Sequence, residues 1–220
     1  MLCIVQGDDR STFKRFMELN RIKCSATMNC KYFRHGSLTN VQPHWRKVFW
    51  THKVLQNEPC DCALWMDGDA VISQNVNIQN ISNLFRGKDF VLSGENDVFH
   101  YNLSPFNAGV WMVHRRGLDI LQAWEKVWTN NIRHRWNRTQ DSWSCIENNN
   151  KTCPFARDAY EQGAFNNFVF PIYKNRIRVV PWHVLQNPHP QTVIHHFVGP
   201  YRIKKVFFEN WMKFSENAEF

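Results

Sequence analysis

The stretch Leu64-Trp65-Met66-Asp67-Gly68-Asp69-Ala70-Val71-Ile72 contains the strongest structural signal of this 220-residue chain. It includes the end of a near-continuous apolar run over residues 62–66, as expected for a strand that is covered on both faces of a parallel sheet. Asp67 and Asp69 then follow, one residue apart, at the carboxyl end of that strand, where open α/β sheets bind their ligands. The stretch therefore predicts a ligand site at this edge of an α/β sheet.

The residues alone leave two interpretations of the acidic pair open. Mg²⁺ and Mn²⁺ bind one or two protein carboxylates and complete their shells with phosphate oxygens and water, so the pair suits a nucleotide diphosphate held through a cation. Gly68, between the two acids, permits close approach of such a ligand. Alternatively, Asp67-Gly68 flanked by apolar residues is a strong signal for the two-residue turn of a β-hairpin.

Outside this stretch, strand patterns alternate with helix patterns, which predicts an α/β fold. Further strands are predicted at residues 2–5, 90–93, 109–113, 177–180 and 193–197. Apolar residues at helical spacing predict helices near 13–17 (behind a possible cap at Ser11), 45–55 and 118–128. Residues 130–151 lack a clear period and are interpreted as a long surface excursion, of the kind that often builds a binding site.

Composition limits the class of protein and the partner. Hydrophobic residues make up 43% and charged residues 21%, which excludes a disordered chain and a coiled coil. The formal net charge of +8 favours anionic partners such as nucleotides or acidic glycans without choosing among them. No run of eighteen apolar residues occurs, so the sequence predicts no membrane anchor in this chain.

The cysteine pattern bears on the compartment. Seven cysteines without a recognisable secretory signal predict mostly reduced thiols and a cytoplasmic location, in the host cytoplasm if the chain is virus-encoded. A disulfide between Cys145 and Cys153 stays open as an alternative for an oxidising setting. Without an export signal, the Asn-X-Ser/Thr triplets are interpreted as chance matches; they begin at Asn80, Asn102, Asn137 and Asn150.

A second chemical signal is the segment His195-His196-Phe197-Val198-Gly199-Pro200-Tyr201-Arg202-Ile203-Lys204. An imidazole at a strand end can complete a metal site begun by carboxylates, and a glycine followed by basic residues suits a diphosphate. The plainer interpretation is a structural histidine beside a Gly-Pro turn. The acidic pair lowers the weight of this plainer interpretation, because the pair needs a third ligand, and both interpretations stay open.

Two weaker segments add polar groups. Asn107-Ala108-Gly109 enters a strand and offers an amide to sugar hydroxyls, and Glu161-Gln162 offers a carboxylate and an amide at a predicted helix start. Caps and solvent contacts explain such residues more often than catalysis does.

Together these segments resemble retaining glycosyltransferases of the GT-A fold. The chain resembles glycosyltransferase family 34, the galactosyl- and xylosyltransferases, in four places: Trp45-Arg46-Lys47, Lys53, the block 65–71 and the segment from Asn107 to Trp124. The chain also resembles the glycogenin and bacterial galactosyltransferase group, in Asp8-Asp9, Glu161-Gln162 and His196-X-X-Gly199-X-X-Arg202. In the last of these motifs, Arg202 replaces the usual Lys. Small soluble glycosyltransferases of large algal viruses, which act on capsid glycans, are also similar, whereas family 34 members usually carry an amino-terminal anchor.

The resemblance implies roles at the matching positions. The metal ligands are Asp67, Asp69 and His196, and the catalytic residues are Glu161 and Gln162, on the reactive face of the sugar. The donor contacts are Asp8 and Asp9 at the nucleoside, Lys53, Asp67 and Gly68, Asn107 and Gly109 at the sugar, and Gly199, Arg202 and Lys204 at the diphosphate.

The implied protein is a single GT-A domain, Rossmann-like, with a mixed and mostly parallel sheet flanked by helices. Residues 1–100 form its nucleotide-binding half and residues 101–220 its acceptor-binding and metal-completing half. It transfers a sugar from a UDP-sugar to a hydroxyl of a glycan acceptor with retention, uses Mn²⁺ or Mg²⁺, and needs no nucleic acid. The alternatives are a noncatalytic nucleic-acid or glycan-binding module and a metal-dependent nucleotidyltransferase; a glycine-rich phosphate loop with a following lysine, which would favour the latter, is absent from the sequence.

Overall fold

The structure of the chain, a computed structural model, describes residues 1–7, 13–35, 38, 40–95, 104–139, 142–147, 151–153, 157–186, 192–197, 206 and 209. Its strands are β1 (Leu2–Gly7), β2 (Cys30–Arg34), β3 (Cys62–Asp67), β4 (Ala70–Ile72), β5 (Phe90–Gly94), β6 (Phe106–His114), β7 (Trp136–Arg138), β8 (Trp143–Glu147), β9 (Lys151–Thr152), β10 (Ile177–Val180) and β11 (Ile194–His196). All the strands predicted from the sequence are present, with boundaries that shift by a few residues.

Helices lie between the strands. The α-helices are α1 (Lys14–Ser25), α2 (Arg46–Asn57), α3 (Leu118–Val127), α4 (Glu161–Ala164), α5 (Phe170–Tyr173) and α6 (Trp182–Leu185). Short 3₁₀ segments are Pro43–Trp45, Ile78–Phe85, Arg115–Gly117, Arg133–Arg135 and Lys174–Arg176, and π turns are Trp128–Ile132 and Phe165–Val169. The predicted cap Ser11 lies outside the described residues.

A six-stranded sheet in the order β10-β5-β6-β3-β1-β2 forms the centre of the fold. β2, β1 and β3 run parallel, as do β10 and β5, and β6 is antiparallel to both of its neighbours. The sheet is therefore mixed and mostly parallel, which confirms the predicted fold class.

Alternating side chains of the central strands enter two separate cores. In β3, Ala63 and Trp65 pack with α2, α3 and α4 on one face, whereas Leu64 and Met66 pack on the other face with residues that include Ile72, Ile81 and Leu185. Burial of both faces explains why the sequence of this strand shows a continuous apolar run. Helices thus cover both sides of the sheet.

The hairpin interpretation of Asp67-Gly68 is wrong. A turn does join β3 to β4, but β3 pairs with β1 and β6, whereas β4 pairs antiparallel with β11 in a separate two-stranded sheet. The turn therefore leads the chain out of the central sheet, and its two acids lie at the carboxyl end of β3.

The expectation of an irregular excursion over residues 130–151 needs correction. The segment contributes β7, β8 and the start of β9, which form a small three-stranded sheet. Trp136 in β7 is buried and its indole donates to the Ala159 carbonyl at 3.1 Å, so this small sheet is attached to the main core. Polar residues without a period concealed short strands whose exposed face is polar.

The expectation of mostly reduced thiols is also wrong. Six of the seven cysteines form disulfides, which join Cys3 to Cys60, Cys24 to Cys30 and Cys145 to Cys153. The seventh, Cys62, is a buried free thiol. Sequence spacing gave no indication of the first pair, because its partners lie 57 residues apart and meet only when β1 and β3 pair.

Among the described residues, none of the helices combines the length and the hydrophobicity that a membrane span requires.

Candidate functional site

Buried amide side chains hold the turn that carries the two acids. The Gln6 amide donates to the carbonyls of Asp67 at 3.0 Å and Ala70 at 2.8 Å. The Asn20 amide donates to the Ala70 carbonyl and to Gln6 Oε1, both at 2.9 Å. Buried hydrogen-bond networks that are satisfied in this way make a local backbone shape rigid. The Asp67–Ala70 turn is therefore preformed.

The three predicted metal ligands come together across the fold. His196 Nε2 lies 3.3 Å from Asp69 Oδ1 and 3.9 Å from Asp67 Oδ2. One ligand atom from each of the three residues lies within 4.8 Å of the other two. Asp69 and His196 are buried, and the Asp67 side chain is 30% exposed, so the cluster is accessible from the side of Asp67.

Backbone pairing and a side-chain contact orient His196. β11 pairs with β4 so that His196 lies opposite Ala70, and the Phe197 N–H donates to the Asp69 carbonyl at 3.1 Å. The ring Nδ1 lies 3.0 Å from Gln186 Oε1. When Nδ1–H donates to Gln186, Nε2 keeps its lone pair toward the carboxylates, which is the form of imidazole that binds a metal. Gln186 therefore supports His196 as a ligand, although it was not predicted.

Gly109, in β6, leaves the space that the His196 ring fills. A Cβ atom at position 109 would lie 2.0 Å from Cε1 and 2.7 Å from Nε2 of that ring. This contact gives Gly109 a steric role beside the candidate ligand, and its role at the donor sugar stays a prediction.

The substitution Gly109→Ala is expected to displace the His196 ring and to weaken Mn²⁺ binding about 10-fold or more, the size of effect known for residues that orient metal ligands. Isothermal titration calorimetry with Mn²⁺ measures this. Gly94→Ala is the matched control, because a Cβ there meets its nearest atom at an ordinary 3.4 Å. Equal Mn²⁺ affinities for the two variants would contradict the assignment of His196 as a ligand.

A buried lysine connects the acidic pair to the second half of the chain. Lys47 Nζ, on α2, lies 2.9 Å from Asp67 Oδ1 and 3.1 Å from Glu161 Oε1, and donates to the Ala108 carbonyl at 3.1 Å. Burial alone lowers the pKa of Lys47, but the carboxylates of Asp67 and Glu161 outweigh burial and raise that pKa well above its ordinary value. Lys47 is therefore a permanent cation within the site.

The two oxygens of Asp67 have different neighbours. Oδ1 accepts hydrogen bonds from Lys47 at 2.9 Å and from the Trp65 indole at 2.9 Å. Oδ2 faces His196. This division orients the carboxylate, so that one oxygen is bound by the protein and the other is directed at the candidate metal position.

Glu161 and Gln162 begin α4, as the sequence predicted, and differ in what remains for a ligand. Glu161 Oε2 is buried and has no hydrogen-bond partner among the described residues. Gln162 Oε1 accepts the Ala108 N–H at 2.9 Å and so holds the edge of β6. Of the predicted catalytic pair, Glu161 has a buried oxygen without a hydrogen-bond partner among the described residues, whereas the carbonyl oxygen of Gln162 is already used.

The other predicted donor contacts are spread around this centre. Asn107 donates to Glu95 at 3.0 Å and accepts from the Gly109 N–H at 2.8 Å, so both ends of its amide bind protein groups. Gly68 is buried in the β3–β4 turn. Five predicted residues lie outside the described part of the chain, namely Asp8, Asp9, Gly199, Arg202 and Lys204.

Lys53 contacts an aromatic row instead of the acidic centre. Its ammonium lies 5.1 Å from the centre of the Trp50 ring, and His35 stacks between Trp50 at 6.0 Å and Trp65 at 5.7 Å. Trp65 in turn donates to Asp67. The row thus extends from the candidate metal position toward the end of β2.

Sequence reasoning missed Lys47, Gln186, Gln6 and Asn20 as site residues. Lys47 belongs to the Trp45-Arg46-Lys47 segment that resembles family 34, but the sequence also held a direct signal for it. On α2, Lys47 shares its face with Thr51 and Val54, at helical spacing, and both of these residues are buried. A lysine on a buried helix face needs acidic partners.

Comparison with known proteins shows a match in structure. No protein-family model and no curated protein match the chain. The crystal structure of a glycosyltransferase involved in the glycosylation of the major capsid of PBCV-1 superposes with a TM-score of 0.68, over 94% of this chain and 98% of that chain, at 17% identity. The chain has the GT-A fold.

Two other solved structures superpose on the chain at lower similarity. The apo form of the glycosyltransferase GlyE of Streptococcus pneumoniae TIGR4 has a TM-score of 0.54 and 11% identity, over 97% of this chain and 63% of that chain. An active-site mutant of LgtC has a TM-score of 0.50 and 10% identity, over 97% of this chain and 96% of that chain. At these identities the likeness shows the fold, and the activity must be argued from the site.

Proposed function

We propose that the chain is a metal-dependent glycosyltransferase that moves a sugar from a UDP-sugar to a hydroxyl of a glycan acceptor with retention at the anomeric carbon. The observation that carries this proposal is the Asp67–Asp69–His196 cluster at the carboxyl end of β3 in a GT-A fold. Glycosyltransferases among the solved structures of similar fold support the general class of reaction.

The residues of the cluster fit a divalent cation. Asp67 Oδ2, Asp69 Oδ1 and His196 Nε2 would hold it, and two carboxylate oxygens with one imidazole nitrogen suit Mn²⁺ better than Mg²⁺, which prefers oxygen ligands. The two carboxylates favour a cation over an anion at this position. When bound, such a cation supplies positive charge to the diphosphate that leaves the sugar.

The chain's own side chains would act on the sugar. In a transfer with oxocarbenium character, positive charge develops on the ring, and the buried Glu161 Oε2 would balance it from one side. Lys47 holds Glu161 in place through an ion pair, with its Nζ 3.1 Å from Glu161 Oε1. Gln162, whose carbonyl oxygen holds β6, would shape the pocket together with Asn107 and Gly109.

The other assignments rest on the sequence resemblance and remain proposals. Asp8 and Asp9 would contact the nucleoside, and Gly199, Arg202 and Lys204 the diphosphate. Residues 1–100 would bind the nucleotide, and residues 101–220 would bind the acceptor and complete the metal site.

The experiment measures UDP affinity by calorimetry in Mn²⁺ and in EDTA, and turnover of a panel of UDP-hexoses and UDP-pentoses. We expect UDP to bind in Mn²⁺ and to lose affinity in EDTA, and Asp69→Asn to reduce turnover by more than about 100-fold, since removing a ligand exceeds the effect of removing its support. Glu18→Gln, at an exposed acid on α1 that pairs with Arg21, is the matched control.

Two results would overturn the proposal. The first is UDP affinity that is the same in Mn²⁺ and in EDTA, which would instead favour a noncatalytic binding module. The second is a reaction product in which the acceptor carries a nucleotidyl group instead of a sugar. The anomeric configuration of the glycoside, read by NMR, tests retention separately.

A further inference from the structure

Among the described residues, the three disulfides and the Asn-X-Ser/Thr triplets at Asn80 and Asn137 have no part in the candidate site. We propose that the chain folds in an oxidising compartment and carries N-linked glycans on Asn80 and Asn137. This proposal is independent of the transferase assignment, because neither asparagine contacts the residues of the candidate site in the described structure.

The disulfides indicate the compartment. They occur in three separate parts of the fold, with Cα–Cα distances of 5.8, 5.4 and 5.5 Å, all within the range over which two cysteines can be bridged. Cytosolic thioredoxin and glutathione keep thiols reduced, whereas secretory compartments oxidise them. Each bridge forms when two thiols lose two electrons and two protons to a disulfide-donating oxidoreductase of the compartment.

The remaining cysteine agrees with this setting. Cys62 is buried in β3, and burial raises the pKa of its thiol to about 11. A buried, protonated thiol does not exchange with disulfides at neutral pH, because the thiolate is the reactive form. Since Cys62 is only 4% exposed, the described fold presents no exposed thiol that would scramble the three bridges. An oxidising lumen thus replaces the reducing cytoplasm that the cysteine count alone suggested.

Asn80 is accessible and lies far from the site. Its side chain is exposed on the Ile78–Phe85 segment, and its neighbours Gln79 and Ser82 line a cavity together with Leu2 and Cys62, at the beginnings of β1 and β3. Asp67 lies at the other end of β3, five residues or about 17 Å away along the strand. A glycan on Asn80 therefore leaves the candidate site open.

Asn137 is accessible for a different reason. In β7, the preceding Trp136 is buried and points into the core, so strand alternation directs Asn137 outward. Its side chain is exposed opposite Ser144 of β8. The small sheet can thus carry a bulky group on its outer face without repacking.

The modification is a group transfer from a lipid-diphosphate oligosaccharide. The asparagine Nδ2 forms a bond to C1 of the first sugar, the bond between C1 and the diphosphate oxygen breaks, and the lipid diphosphate leaves while the amide nitrogen loses one proton. The triplet hydroxyl is supplied by Ser82 for Asn80 and by Thr139 for Asn137.

The test expresses the whole 220-residue chain behind a cleavable secretion leader in a eukaryotic host. Treatment of the secreted protein with a glycan-removing amidase is expected to shift its gel mobility, and Asn80→Gln and Asn137→Gln each to remove one step of that shift. Peptide mapping locates the converted asparagines. Asn83→Gln, an exposed asparagine outside any triplet and on the same segment as Asn80, is the matched control and should leave the shift unchanged.

Each outcome bears on the proposal. Secreted protein that has intact disulfides but no sugar on either asparagine overturns the proposal. If only one of the two asparagines carries sugar, the proposed modification of the other asparagine is wrong. A chain that fails to fold in the lumen but folds in a reducing cytosol overturns the proposal that the protein folds in an oxidising compartment. The triplets at Asn102 and Asn150, outside the described residues, are distinguished by the same peptide map.

Discussion

Replacing Lys47 with methionine is expected to reduce Mn²⁺ affinity and sugar transfer about 10- to 100-fold, as for other residues that orient metal ligands. The substitution removes the cation between Asp67 Oδ1 and Glu161 Oε1, so the two carboxylates lose their shared partner. Leaving a buried charge uncompensated also lowers the free energy of unfolding, by about 3 kcal/mol. Calorimetry with Mn²⁺ and urea unfolding measure the two effects.

The pH dependence follows from the raised pKa of Lys47. A group whose pKa is raised by folding contributes stability that is complete below its unfolded pKa and is lost only as the pH rises through the folded value. From pH about 6 to about 9, well below the ordinary lysine pKa, the difference in stability caused by losing the Lys47 charge should therefore stay constant.

Two variants separate the role of Lys47 from a general loss of charge. Lys126→Met removes an exposed lysine from α3 and should change neither Mn²⁺ affinity nor stability by a measurable amount. Lys47→Arg keeps the charge and should retain more metal affinity than Lys47→Met. If Lys47→Met binds Mn²⁺ with the affinity of the wild type, the ion pair between Lys47 and Asp67 does not position Asp67, even if the free energy of unfolding falls.

The candidate metal site was predictable because its signals are local. The apolar run over residues 62–66 identified a strand buried on both faces, and the acids directly after it lie where such strands end. The acidic pair indicated that a third ligand was needed and made the His195-His196 segment a candidate, whereas the choice of His196 came from the resemblance to known glycosyltransferases. The pairing of β4 with β11 brings the two acids and His196 together. This pairing has no local signal in the sequence and appears only in the fold.

The parts that sequence reasoning missed depend on contacts between distant segments. Gln6 and Asn20 form hydrogen bonds to the β3–β4 turn only because β1 and α1 pack beside it. Cys3 and Cys60 meet because β1 pairs with β3. Each residue type alone is compatible with many environments, so its role depends on the three-dimensional structure.

Loss of the Cys3–Cys60 bridge is expected to produce the largest change in stability. In the chain-entropy description, a disulfide that spans 57 residues stabilises the fold by about 4 kcal/mol, whereas one that spans six residues, as between Cys24 and Cys30, gives about 2 kcal/mol. Both Cys3 and Cys60 are fully buried, so their alanine variants also lose packing. Urea unfolding of the Cys3→Ala, Cys60→Ala double variant measures the combined loss.

The Cys24→Ala, Cys30→Ala double variant is the matched control for this measurement, because it removes one bridge of similar chemistry that closes a much shorter loop. The first double variant should lose roughly twice as much unfolding free energy as the second, if loop entropy dominates. Alkylation of the denatured, unreduced wild type should label only Cys62, because the other six thiols are paired. Wild-type protein that keeps its full stability after reduction would contradict the stabilising role of all three bridges.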